Sequence, residues 1–260
     1  MRSLNIAGTG MLAQQLNVEV ISNNIANMNT TSFKRQRAEF QDLLYQNMLQ
    51  VGSASSDSGT IVPSGIQIGV GVHAGAVYRI VAQGDFVTTS KDLDVAIKGR
   101  GYFQIELPNG QTAYSRAGSF QLSPSGEIVT ASGYRVLPGI TIQNAAEISI
   151  NESGQVSYKQ AGQTTPTVAG QLELAVFANE AGLEALGDNL FMQSDASGPA
   201  AVANPGTTGY GTLQQGFLEG SNVNPVNEIT ALIAAQRAYE MNSKVIETSD
   251  QMLSTITQLR

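Results

Sequence analysis

Few side chains in this sequence could do covalent or binding chemistry, and they are scattered along it. Asp92 and Asp94 stand two apart on an expected strand, where alternate side chains share a face, as the acid and base of a glycoside-cleaving pair might. The simpler reading is a pair of aspartates at a turn entering that strand. Ser115, Arg116 and Ser119 cluster without a histidine nearby, and the single histidine, His73, cannot complete a triad by sequence alone. Lys34, Arg35 and Arg37 form the one tight basic cluster. It reads as a phosphate contact, or, better in so acidic a chain, as a solvated turn or subunit contact. Gly69, Gly71 and Gly75, like Gly99 and Gly101, have roughly the spacing of a dinucleotide-binding loop, but no helix pattern follows them. Asn29-Thr30-Thr31 and Asn151-Glu152-Ser153 fit the glycosylation pattern, a frequent chance match.

Composition narrows the chemistry further. The 260 residues include no cysteine and one histidine, which removes thiolate chemistry, disulfides and the usual metal clusters. The expectation is no catalytic residue, no cofactor and no metal. A net charge of −7 argues against nucleic acid or an anionic membrane as partner. No apolar run is long enough to cross a bilayer, so no membrane insertion is expected. The N-terminus leads directly into an amphipathic segment carrying Asn5, Gln14, Gln15, Asn17 and Glu19, so no cleaved signal peptide is expected.

The elements that organise the chain lie at its two ends. Residues 224–260 hold no glycine and one proline. Asn224 suits the N-cap, Pro225 the first helical position, and Glu228 and Arg260 complement the helix dipole. Leu232, Tyr239, Ile246 and Leu253 recur every seventh residue, and Ala238, Val245, Met252 and Leu259 form the row beside them. The row Ala235, Asn242, Ser249, Ile256 is mixed, so this is not a strict two-stranded seam. Residues 3–29 repeat the pattern with Leu4, Met11, Val18 and Ile25, flanked by Ala7, Gln14, Ile21 and Met28. Gly8 and Gly10 weaken its first turns. Alone, such helices would fray, so each needs a partner.

Between the ends the period changes. Residues 37–50 fit a short helix or an extended arm, and 51–65 is small, polar and proline-punctuated. From Ile66 onward strands and turns dominate: one or two strands over 66–81, and two short strands joined by a glycine turn over 93–107. Three related turn-plus-strand pieces at 108–114, 124–130 and 152–158 mark hairpins of one small antiparallel domain. Residues 181–194 carry at most one helical turn, and 195–212 form a loop. The fold class is therefore α+β: long N- and C-terminal helices in a coiled-coil-like helical domain, with a β-rich antiparallel middle. The expected division is 1–30 with 224–260 as the helical domain. Residues 31–92 and 185–223 would be a connecting region with an arm at 46–65, and 93–184 an outer β domain.

Three stretches carry a resemblance. SNNIANMNTTSFKRQRAEFQDLLY (22–45) and GFLEGSNVNPVNEITALIAAQRAYEMNSKVIETSDQML (216–253) are similar to the terminal motifs of bacterial flagellar rod and hook proteins, and 90–139 resembles their middle region. The motif positions carried over are Asn23, Asn24, Ala26, Asn27, Phe33 and Lys34, then Asn222, Asn224, Gln236, Arg237 and Tyr239. Ser32 departs from the glycine usual before the Phe-Lys pair, where glycine would allow positive φ. The resemblance implies a structural, non-enzymatic subunit that polymerises helically into a hollow shaft enclosing an export channel. Length and the insert at 46–65 point to the distal rod, with a proximal-rod or hook position and a glycan-binding or hydrolytic module as alternatives. It further implies proximal-rod proteins below, hook protein above, surrounding L and P rings, and a place spanning the periplasm. The helix-stripe residues Leu4, Met11, Val18, Ile21, Ile25, Met28, Leu232, Tyr239, Val245, Ile246, Met252, Leu253 and Leu259 are the expected assembly interface.

Overall fold

The computed structural model describes residues 2–49, 65–142, 145–160 and 165–258. Most of the expected arm at 46–65, stripe residue Leu259 and the dipole partner Arg260 lie outside the described residues. Contacts divide the chain into two units, residues 1–26, 36–79 and 224–260 in one and 27–35 with 80–223 in the other. Residues 36–79 fall in the unit that holds both helices.

The first unit contains α1 (Arg2–Ala26), β1 (Gln36–Asp42), β2 (Tyr45–Leu49), β3 (Ile66–Gly69), β4 (Val72–Arg79) and α2 (Pro225–Gln258). The Asn224 side chain accepts the N–H groups of Val226 at 3.1 Å and Asn227 at 3.2 Å, so the N-cap forms as the sequence requires. α1 and α2 pack antiparallel, because Ser3 meets Ser249 near one end and Asn24 meets Glu228 near the other. Residues 37–49 resolve the helix-or-arm alternative as strands. β1 pairs with β4, with a bulge at Glu39/Phe40, and β2 pairs with β3. Half-buried and exposed positions alternate along β1, and pairing with β4 selects strand over helix there.

The second unit is built from short strands: β5 (Phe86–Thr88), β6 (Val95–Lys98), β7 (Tyr102–Glu106), β8 (Thr112–Ser115), β9 (Phe120–Leu122), β10 (Ile128–Thr130), β11 (Arg135–Val136), β12 (Ala145–Ile150), β13 (Gln155–Gln160), β14 (Thr167–Gln171), β15 (Leu174–Val176), β16 (Glu184–Gly187), β17 (Leu190–Met192), β18 (Ala201–Ala203), β19 (Thr212–Gln215) and β20 (Phe217–Glu219). The three turn motifs join β7 to β8, β9 to β10 and β12 to β13, each an antiparallel hairpin. Among the described residues, nine strands form one sheet, ordered β16-β17-β8-β7-β11-β10-β9 with β15 and β18 attached through β7, and β12-β13-β14 form a second. β6 and β7 do not pair with each other across their glycine turn. β6 joins β19 and β7 joins β8, β11 and β15. Residues 181–194 are mainly β16 and β17 after a 3-10 turn at Glu180–Gly182. β18 falls inside the expected loop at 195–212.

Apolar side chains from these strands make the unit's core. Val95, Ile97, Phe103, Phe120, Ile128 and Leu174 are all buried, and Phe103 meets Phe120 edge-on at 4.9 Å. β19 and β20 bring the C-terminal part of the unit back beside β6 and β5. That return places Glu219 inside the protein.

Candidate functional site

Within the second unit, three charged side chains meet out of water. Lys34 Nζ donates to Glu219 Oε1 at 2.6 Å, and Arg116 Nε donates to Glu219 Oε2 at 2.6 Å. Their side chains are 4%, 3% and 0% exposed for Lys34, Arg116 and Glu219. The Gly84 N–H adds a third bond to Glu219 at 2.9 Å. Burial pushes the Glu219 carboxyl up, but Arg116, Lys34 and the Gly84 N–H together hold it below its ordinary value. Burial, then Arg116, push the Lys34 ammonium below its usual range, with Glu219 acting against them. The remaining donors are also used: Lys34 Nζ reaches the Ala82 carbonyl, and the Arg116 guanidinium reaches those of Gly99 and Gly101. With its hydrogen bonds spent internally, the cluster is a lock and offers no free acid, base or nucleophile.

Ser32 completes that lock. Its φ is 58°, so the backbone takes the left-handed conformation that a glycine here would favour. Serine holds it because its N–H donates to the Glu219 carbonyl at 2.8 Å and its hydroxyl to the Arg116 carbonyl at 2.9 Å. Asn222 binds the chain three residues further on, at Arg35. It accepts the Arg35 N–H at 2.7 Å and donates to the carbonyls of Ile80 and Ala82, each at 2.9 Å.

In the first unit, Asn24 is 1% exposed and does the corresponding work. It donates to the Gln36 carbonyl at 2.8 Å and to Glu228 Oε2 at 3.1 Å, and accepts the Gln36 N–H at 2.8 Å. It thereby ties the end of α1 to β1 and to the first turn of α2. Glu228, expected only to complement the dipole, is itself 1% exposed.

The helix seam differs from the apolar stripes. Ser3, Gly10 and Asn24 of α1 face Ser249, Asn242 and Glu228 of α2, so a step of seven residues along one helix matches seven back along the other. Glu228, Ala235 and Ser249 are the buried positions of α2. The row set aside as mixed is the one that makes the intrachain contact. Of the stripe residues on α1, Ile21 is buried, Leu4, Met11, Val18 and Ile25 are half-buried, and Met28 lies exposed past the helix end. On α2, Leu232 and Ile246 are half-buried, while Tyr239, Val245, Met252 and Leu253 stand open at 45%, 44%, 55% and 36%. The small and polar row lets the helices approach closely, and leaves Tyr239, Val245, Met252 and Leu253 of α2 open.

Comparison with known proteins matches the chain along nearly its whole length. Residues 4–34 match the family described as flagella basal body rod protein. Residues 96–158 match the flagellar hook protein FlgE/F/G D1 domain, and 214–259 the flagellar basal body rod FlgEFG protein C-terminal. A flagellar basal-body rod protein FlgG of Caulobacter vibrioides is 61% identical, with 100% of each chain covered. That of Agrobacterium fabrum is 53% identical over 99% of each, and a flagellar hook-basal body complex protein FlhP of Bacillus subtilis 31% identical over 100% of each. The chain belongs to the flagellar basal-body rod family.

The rod family is structural, and the chemistry-bearing residues of this member have structural tasks. Asp92 lies exposed in a turn and Asp94 is buried in a bridge to Ser119, so they do not form a working pair. Ser115 donates its hydroxyl to the Asn189 carbonyl, and His73 is exposed on β4. Asn151 caps its own hairpin by accepting the Gln155 N–H at 2.8 Å, and Asn29 is exposed. Lys34 corrects the solvated-turn reading of the basic cluster, because it is buried against Glu219. Arg37 stays exposed. Among the other rod-motif positions, Asn27 accepts the Thr30 hydroxyl in the turn after α1, Phe33 is half-buried, and Asn23, Ala26, Gln236 and Arg237 are exposed. Glu219 and Arg116 were not legible as partners. Both lie within the stretches that resemble the rod motifs, but nothing in sequence joins positions 103 residues apart. Among the described residues no helix is long and apolar enough to cross a membrane, and no group of side chains could hold a metal.

Proposed function

We propose that this chain is the subunit of the distal rod, polymerising helically into a stiff hollow shaft that transmits torque and encloses the export channel. In this reading residues 1–30 and 224–260 form a coiled-coil-like inner tube, 93–184 an outer β domain, and 31–92 with 185–223 the connection between them. The observation that carries it is the row of large apolar side chains left open on α2 while small and polar residues make the intrachain seam. Tyr239, Val245, Met252 and Leu253, with Leu4, Met11, Val18, Ile25, Met28, Leu232, Ile246 and Leu259, are the surface that neighbouring copies cover, whereas Ile21 is already buried within the chain. A contact between unlike surfaces, repeated head to tail, gives an open helical polymer.

The segment at 46–65 acts as an arm that couples neighbouring copies and stiffens the shaft. β2 and β3 at its root support this, because Tyr45, Met48 and Ile66 are exposed at 56%, 58% and 53% on a ribbon that is two-stranded among the described residues. Proximal-rod proteins adjoin the shaft below, hook protein above, and the L and P rings surround it in the periplasm. Two experiments test the reading. Deleting 46–65 leaves a rod that bends, and a straight rod of unchanged stiffness removes the arm's mechanical role. Truncating the final twelve residues abolishes polymerisation, and normal polymers from that chain contradict the stripe as interface.

A further inference from the structure

We propose that Asn109 is this chain's site of spontaneous deamidation, and that the hairpin carrying it holds the reaction off while the second unit is folded. Of all the asparagines in the sequence, Asn109 alone precedes a glycine, and no aspartate does. Glycine has no Cβ to hinder its own backbone nitrogen, so that nitrogen most easily reaches the side chain before it. The step is an internal acyl transfer. The Gly110 nitrogen bonds to Asn109 Cγ, the Cγ–Nδ2 bond breaks, and the displaced amide nitrogen takes up the Gly110 proton and leaves as ammonia. A five-membered imide remains, and water opens it at either carbonyl. One opening gives aspartate. The other gives isoaspartate, in which the main chain runs through the side-chain carbons.

Both reactants are tied down in the structure. Asn109 is exposed in the turn between β7 and β8, so burial does not protect it. The Gly110 N–H donates to the Leu107 carbonyl at 2.9 Å, closing a turn with Pro108 and Asn109 at its centre. Neither central residue has a positive φ, which makes the turn type I and sets the Asn109 ψ at about 0°. At that ψ the Gly110 nitrogen stands out of the plane in which the imide ring must close. The carboxamide is held as well. Its Oδ1 accepts the Gln111 N–H at 3.0 Å, and its Nδ2 donates to Gln111 Oε1 at 2.7 Å. Attack requires the turn to open, so the folded chain reacts only through its opened fraction. The two products differ in what they do to the fold. Aspartate can still accept the Gln111 N–H, but isoaspartate lengthens the main chain inside the hairpin that sets the β7–β8 register. That register places Ser115 opposite Phe103, and Arg116 of the buried cluster comes next in sequence. A chain that forms isoaspartate while unfolded therefore closes its second unit less well.

The test uses the full-length chain in mildly alkaline buffer, either native or in denaturing guanidinium. Peptide mass spectrometry locates the exchange of amide for acid, and enzymatic methylation counts isoaspartate. In denaturant Asn109 is expected to react before any other asparagine, and in the native chain at least about tenfold more slowly. Pro108→Ala loosens the turn without touching either reactant. It is expected to speed the native reaction severalfold and leave the denatured rate unchanged. Asn109→Asp keeps the wild-type unfolding midpoint, whereas chains enriched in isoaspartate unfold at lower urea. Another asparagine reacting first in denaturant overturns the site. Equal native and denatured rates in the wild-type chain overturn the protection, and a native Pro108→Ala rate no faster than wild type overturns the turn as its cause. An isoaspartyl chain as stable as wild type overturns the consequence for the second unit.

Discussion

Replacing Glu219 by glutamine keeps the shape of the side chain and removes one charge from a place without water. Two cations, Lys34 and Arg116, then remain buried with no anion between them, and the new amide NH2 must face one of their donors. Breaking a buried, hydrogen-bonded pair costs about 3–5 kcal/mol, because the surviving partner keeps its desolvation penalty. Here two partners survive, so the upper half of that range applies. For a chain of this size the melting temperature falls by roughly 10 °C or more. Urea unfolding followed by near-ultraviolet circular dichroism reads this directly, since Tyr102, Tyr114, Tyr134, Tyr158 and Tyr210 lie in the unit that holds the cluster. Lys34→Met added to Glu219→Gln relieves part of the loss, so the double variant costs less than the sum of the singles. Acid gives a second signature. Glu219 sits below its unfolded value of 4.5, so its contribution is complete above that pH and disappears as pH falls through the lower folded value. The variant lacks that part of the acid limb. A loss below about 1 kcal/mol, or an acid limb identical to wild type, would refute the account of the cluster as a lock.

Ser32→Gly should be nearly neutral in the same unfolding assay, since relief of the left-handed backbone offsets the lost bond to Arg116, whereas Ser32→Val should cost about 2 kcal/mol or more. Asn24→Ala removes the bonds that join α1, β1 and α2, and should lower stability by about 2–3 kcal/mol with the loss concentrated in helical signal at 222 nm. Gly8→Ala and Gly10→Ala separate propensity from packing. A Cβ at position 8 meets nothing within 4 Å and should raise the thermal midpoint by up to about 1 kcal/mol equivalent, while at position 10 it meets the Asn242 amide at 2.9 Å and should give no gain.

What could be read from the sequence tracks how local each cause is. The cap at Asn224 and the hairpins at 108–114, 124–130 and 152–158 are decided by a few adjacent residues, and they form where expected. β1 was ambiguous because its alternation competes with the helix-compatible composition of 37–50, and pairing with β4 settles it. The partition of β6 and β7 between different pairings was out of reach, since a glycine turn between two strands signals a hairpin unless a distant strand such as β19 intervenes. The helix seam was not legible in the sequence for a physical reason. Periodicity of large apolar residues marks the surface with most area to bury, but in this chain that surface is not the one α1 and α2 share. Serine, glycine, alanine and asparagine mark close approach, and they carry little hydrophobic signal. Charges mislead in the same way. Lys34 looks solvated beside Arg35 and Arg37, and only Glu219, 185 residues away, shows that it is buried.

Asn222 has a further consequence. Its carboxamide bonds the Ile80 carbonyl, where the chain comes into the second unit, from the place where the chain is about to leave. Residues 80–222 are therefore a closed excursion whose two ends are stitched by one side chain. Turns on that excursion, such as those at Gly110, Gly133 and Gly187, open onto free space. Extra residues spliced there would enlarge the second unit without altering the spacing of its two doorposts, so the terminal helices and the strand domain are free to diversify at separate rates.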